Sequence, residues 1–189
     1  MIHDEIPMPP SFKQMTDFFR SLGADEIGHT DKTYLAHAIG VYRDLEEWGC
    51  DEELCQAGMF HSIYGTQKFQ KFALPLERRP ELCDLIGARA ERIAFVNCVM
   101  DRPSFDRAAA QPSGPYQVLD RLSGQVIDLT SEEMDDLCRV HLCDWLEQVP
   151  RSKEWDYRRA GYRTMAERLG GVALESYDRV FGVVDGTAR

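Results

Sequence analysis

Three histidines and one aspartate carry the chemistry this chain can offer: His29, His37, His61 and Asp144. In "GHTDKTYLAHAIGVYRDLEEWG" His37 falls on the inward stripe of a predicted helix, with Tyr34, Val41, Leu45 and Trp48. In "LCQAGMFHSIYGTQKF" His61 closes the apolar run that follows Gly49. His37 lies 12 residues before Gly49 and His61 lies 12 after it. At about 1.5 Å of rise per residue, both stand roughly 18 Å from the shared turn. Two antiparallel helices joined there bring the imidazoles to one height. In "VHLCDWLEQ" Asp144 stands in an apolar helix, on a face with His141 and Gln148. A buried carboxylate needs a partner, because burying an unpaired charge is costly. A metal ion, an arginine such as Arg139 or Arg121, and a helix N-terminus are the candidates.

Two imidazoles and a carboxylate with an open face suit one divalent transition metal: Fe, Mn or Zn. Such an ion polarises a substrate oxygen or lowers the pKa of bound water to about 7. His29, in the loop before the His37 helix, is a candidate fourth ligand or outer partner. Tyr64 is a candidate pocket acid or hydrogen-bond donor, and Lys32 a candidate anion-holding cation. Ser62 lacks the G-x-S-x-G context of an activated nucleophile. His141 and Cys143 read as structural.

The elements that must position these groups are mostly helical. Residues 11–22 place Phe12, Met15, Phe18, Phe19 and Leu22 on one stripe, between Pro9-Pro10 and Gly23. A second helix is expected over 31–48, capped by Thr30 or Asp31, whose side-chain oxygens can accept from first-turn amides. Asp51 opens a third that runs to about His61, and two short helices follow, divided near Gly87. "DRPSFDRAAAQPSGP", rich in Pro, Gly and Ser, reads as a surface loop of about 15 residues, a length often tied to function. Runs 116–120 and 125–129 around Ser123-Gly124 predict a hairpin. Thr130 or Ser131, with Glu133 for a capping box, opens a helix over 131–148. Helices over about 153–168 and 171–181 follow. The expected fold is one all-α domain over 1–189 with a small β-hairpin insertion.

Composition narrows the partners. The 189 residues suit one domain and bury a core without disulfides or structural metal. Net charge is −10, spread along the chain, so a nucleic-acid phosphate track or an anionic membrane is not an expected partner; a small molecule is. No apolar run approaches the roughly 20 residues of a membrane helix. "MIHDEIPMPP" is acidic and lacks an apolar signal core, so the expected location is cytoplasmic. The six cysteines form no CxxC pair and fit no closed zinc motif.

The same residues carry a resemblance. "YLAHAIGVYRDLEEWG…AGMFHSIYGT…RVHLCDWLEQ" resembles the HD-domain superfamily of metal-dependent phosphohydrolases, over about residues 25–150. It looks most like the hydrolase domain of the alarmone synthetase/hydrolases, and "LIGARAERIAFV" is similar to that family's helix after its His-Asp pair. "HTDKTYLAH…GMFHSIYGT" is also similar to uncharacterised HD-like proteins with His-Ser in that place. The resemblance implies an HD-like helical bundle, with His37 as the first His, His61 as the second and Asp144 as the final Asp. Ser62 stands where the superfamily has the Asp that ligates and bridges metals. Gly65 and Thr66 stand where alarmone hydrolases have an acidic pair. One metal rather than two is therefore expected, and alarmone hydrolysis by the usual route is not. The expected activity is mononuclear metal-dependent hydrolysis of a small polar or phosphorylated metabolite. An HD-type oxygenase fits less well, since it needs two irons. The alternative is a degenerate HD domain that binds a small ligand or a partner protein without catalysis.

Overall fold

A computed structural model describes residues 10–23, 28–29, 32–70 and 74–186. Helix α1 (Phe12–Ser21) opens on a capping box between Ser11 and Gln14. A two-residue ladder, β1 (Gly28–His29) with β2 (Lys32–Thr33), leads into α2 (Tyr34–Glu47). Thr33 caps α2, its side chain accepting from the Ala36 amide. The expected caps Thr30 and Asp31 lie outside the described residues, and the helix starts later than the sequence pattern suggested. Tyr34, His37, Val41 and Leu45 are buried along it, as expected, and Trp48 is half-buried. Phe12 departs from its stripe: it is half out in solvent, edge-on to Tyr42 at 5.5 Å.

Gly49 takes φ 75°, a left-handed conformation that a side chain disfavours, and this reverses the chain. Helix α3 (Glu52–Met59), capped by Asp51, then runs back against α2. It stops two residues short of His61, which sits in a run of turns over 60–64. Helices α4 (Arg79–Ile86) and α5 (Ala88–Val99) meet at Gly87, whose φ is 83°.

The expected loop after Met100 is half helix. Helix α6 (Arg102–Ala109) has Asp101 as its cap and Pro103 in its first turn. A proline there sacrifices an amide that has no helical partner anyway, so the loop-like composition concealed a helix start. Its Phe105 is fully buried. The hairpin is as expected: β3 (Tyr116–Leu119) and β4 (Val126–Leu129) pair antiparallel, with Tyr116 opposite Leu129.

Helix α7 (Ser131–Gln148) is the central rod, with Thr130 and Glu133 forming its capping box. It packs on α2, α3 and α5, and on the last two helices, α8 (Arg159–Leu169) and α9 (Gly171–Val184). Helix α8 begins some six residues later than its pattern suggested. Arg158 has φ 49°, and no α-helix runs through a left-handed residue. The domain is mostly α with small β elements. No helix of the described residues is long and apolar enough to cross a membrane.

Candidate metal centre

His37, His61 and Asp144 converge, all three buried. His37 comes from the middle of α2, His61 from the turn after α3 and Asp144 from the last third of α7. The His37 and His61 Nε2 atoms are 3.3 Å apart. Asp144 Oδ1 lies 3.0 Å from the first and 3.2 Å from the second. A cation bonded at roughly 2.0–2.1 Å holds neighbouring ligands roughly 2.8–3.0 Å apart on an octahedral face and roughly 3.3–3.4 Å apart in a tetrahedron. The observed triangle falls between these limits.

The outer edges of both rings set their electronics. His61 Nδ1 lies 2.7 Å from the Gly58 carbonyl oxygen, which can only accept, so Nδ1 carries the proton. His37 Nδ1 lies 2.6 Å from Glu147 Oε2 and donates to that carboxylate. Each neutral ring then turns a bare lone pair at Nε2 toward the other and toward Asp144. Three acceptors held this close repel one another unless a cation sits among them. A metal ion, or a proton among the three atoms, removes that repulsion. Burial pushes the His37 pKa down, but the hydrogen bonds and charges of Asp144 and Glu147 outweigh it and raise it to about 9. Burial likewise opposes the Asp144 carboxylate, yet His61 and His37 hold its pKa well below the ordinary range. A metal would have to displace the His37 proton, so its affinity falls as pH drops.

Outer contacts fix the triangle. Gln148 Nε2 donates to Asp144 Oδ1 at 2.7 Å. Arg151 Nη2 donates to Glu147 Oε2 at 2.7 Å. Asn97 of α5 donates to the His61 carbonyl at 2.7 Å, anchoring that turn by its backbone. Gly40 makes room for Glu147, since a Cβ there would stand 2.9 Å from its Oε1. Asp144 does not use the arginines considered as its partners. Arg139 pairs with Asp136, and Arg121 donates to the carbonyls of Cys98 and Gly65.

The other expected site residues stand as follows. The Tyr64 hydroxyl donates to Glu91 at 2.8 Å, and Glu91 is itself clamped by both nitrogens of an Arg79 fork. Tyr64 is thus committed to that cluster, away from the triad's own hydrogen bonds. His29 and Lys32 are opposite one another in the β1–β2 ladder, and their side chains lie outside the described residues. Ser62 is buried, and its hydroxyl donates to the Tyr34 hydroxyl at 3.1 Å. Glu147 is the group that sequence reasoning missed. Its signal was spacing: it follows Asp144 by three residues, which places both on one helix face.

Outer carboxylates of this kind orient a ligating imidazole and raise its basicity. Glu147→Gln is therefore expected to weaken metal binding roughly 10–100-fold without unfolding the chain. Competition against a chromogenic chelator measures it, and an unchanged affinity would remove Glu147 from the site.

The arrangement defines a class: a mostly α-helical domain with a buried His-His-Asp triangle suited to one cation. The family model for a domain of unknown function, DUF6817, matches residues 18–102. That span contains His37, His61 and Ser62 and stops before Asp144. No curated protein and no solved structure matches the chain.

Proposed function

We propose that His37, His61 and Asp144 hold one divalent Fe, Mn or Zn ion, and that the chain is an HD-like, mononuclear metal-dependent hydrolase. Its substrate in this reading is a small polar or phosphorylated metabolite in the cytoplasm. The observation that carries the reading is the triangle of three acceptor atoms 3.0–3.3 Å apart. Both imidazoles are already held by hydrogen bonds at their outer nitrogens. When bound, the ion would polarise a substrate oxygen or supply a water that ionises near pH 7. The protein's own part is to present both Nε2 atoms and Oδ1 toward one point. Metal analysis of tag-free protein tests this. One ion per chain is expected; a clean absence after Mn, Fe and Zn are each offered would overturn it.

One observation favours a second reading. The His37 ring lies between two carboxylates, 3.0 Å from Asp144 and 2.6 Å from Glu147, which raise its pKa despite burial, and an imidazolium there would satisfy both without metal. In that case the domain binds a small ligand without catalysis.

Ser62 separates one ion from two. Its neutral hydroxyl is engaged with Tyr34 and cannot offset the repulsion between two cations. Ser62→Asp is expected to raise metal affinity or stoichiometry, counted after desalting. Two tightly held ions in the wild type would defeat the one-metal reading.

A further inference from the structure

The two imidazoles of the triad are held in different ways. His37 meets Glu147 directly, at its outer nitrogen. The outer nitrogen of His61 meets the Gly58 carbonyl in the same segment of chain, so the placement of that segment decides where Nε2 points. The segment is tied from outside through its backbone, where Asn97 Nδ2 donates to the His61 carbonyl at 2.7 Å. His141 in turn holds Asn97, with its Nδ1 at 3.1 Å from Asn97 Oδ1. Asn97 and His141 are both fully buried.

Two independent constraints give His141 one protonation state. A carbonyl only accepts, so the Asn97 amide nitrogen faces His61 and its oxygen faces His141. Nδ1 of His141 must then donate, and it carries a proton. A guanidinium only donates, and Arg158 Nη1 stands 3.0 Å from Nε2, which must then accept. The Arg102 guanidinium and the Tyr162 hydroxyl stand against that same nitrogen. Burial, with the charges of Arg102 and Arg158, holds the His141 pKa well below the ordinary histidine value, so the ring is neutral. Tyr162 stacks on the ring at 5.4 Å and Phe105 meets it edge-on at 5.4 Å, which fixes its plane.

The place of His141 on α7 gives the relay its purpose. His141, Asp144 and Glu147 follow one another at three-residue intervals and share one helix face. Asp144 belongs to the triangle, Glu147 holds His37, and His141 reaches His61 through Asn97. Apolar side chains would fill this part of the core without the cost of desolvating an imidazole and guanidinium groups. Each bond of the relay pairs a donor with an acceptor, and buried networks of that kind rigidify a single arrangement. We propose that His141 is a positioning residue of the metal centre: as the neutral Nδ1–H tautomer it holds Asn97, and through Asn97 it fixes the His61 turn against Asp144. Its consequence for metal rests on the metal-centre reading; the relay itself is a property of the metal-free chain.

The first measurement is nitrogen NMR of the imidazoles in metal-free wild type. His141 is expected as a neutral ring with its proton on Nδ1; an imidazolium or the Nε2–H tautomer at neutral pH overturns the proposal. His141→Phe keeps the aromatic stack and removes both hydrogen bonds. In the metal-free variant the His61 ring signals should shift. Its cobalt(II) affinity should fall about 10–100-fold, as on loss of an outer partner, and the absorption bands of the bound ion, which report ligand geometry, should change. His141→Asn returns an N–H donor near the place of Nδ1 and should recover part of the affinity. Asn97→Ala cuts the relay beyond His141 and leaves the arginines their acceptor, so it carries the test should His141→Phe not fold. The losses from the two cuts should not add, because both break one relay. Circular dichroism of metal-free samples identifies the folded variants. Either folded variant with His61 ring signals, cobalt(II) affinity and absorption bands all unchanged overturns the proposal, and so does strict additivity. A wild type that takes up no ion would sink the metal-centre reading alone, and the imidazole spectra would still decide the relay.

Discussion

His61→Ala is expected to abolish stoichiometric metal binding, taking one ion per chain to a residue too weak to survive desalting. The reason is geometric. The triangle needs all three donors, and His37 and Asp144 alone leave an ion with two contacts 3.0 Å apart in a buried site. The loss should exceed the roughly 10–100-fold typical of an outer partner such as Glu147. The fold should survive, because Asn97 and Cys98 hold the His61 backbone carbonyl rather than its ring. Circular dichroism would confirm an intact helical protein, and metal counting would report the loss. A variant that keeps its ion at wild-type affinity would show that metal, if bound, sits elsewhere.

Phe60→Ala should cost about 3–5 kcal/mol of folding stability, the usual range for removing a buried aromatic ring. Phe60 is fully buried, stacked on Phe19 at 4.5 Å and edge-on to Phe18 at 6.0 Å. Typical domains hold only about 5–15 kcal/mol in total, so the variant should unfold at much lower urea. The slope of the transition should stay unchanged, which marks lost stability rather than a changed unfolded state. Phe60 also begins the turn that carries His61 and Ser62, so metal affinity should fall even where the variant is folded. A cost below about 1 kcal/mol would place the ring outside the core, against its full burial here.

Much of the scaffold was legible because its causes are local. The bounds 131–148 for α7 follow from a capping box and an apolar pattern, both contained within one stretch of chain. Gly49 marked the reversal between α2 and α3 because a left-handed residue there favours glycine. Helix α6 was hidden because Pro103 and the nearby Pro, Gly and Ser residues read as loop, although Asp101-Arg102-Pro103 is also a sound helix start. The late start of α8 depended on Arg158 adopting a left-handed conformation, to which no neighbouring residue pointed.

For the site, the sequence by itself determined which donors exist and that Gly49 lies midway between His37 and His61. The helical rise inferred from that spacing does not run through His61, which sits in turns two residues past the end of α3, so packing brings the two Nε2 atoms to 3.3 Å. Only the tertiary structure decided that Asp144 turns toward the histidines and away from Arg139 and Arg121, across 107 residues of chain from His37. It also decided that Glu147, with room left by Gly40, orients His37, and that Ser62 spends its hydroxyl on Tyr34. The physical reason is range. Periodicity and capping act over a few residues and are written along the chain. Which of several charged groups a buried carboxylate meets depends on how three helices pack and how each side chain leaves its backbone, and both are set only when the core closes.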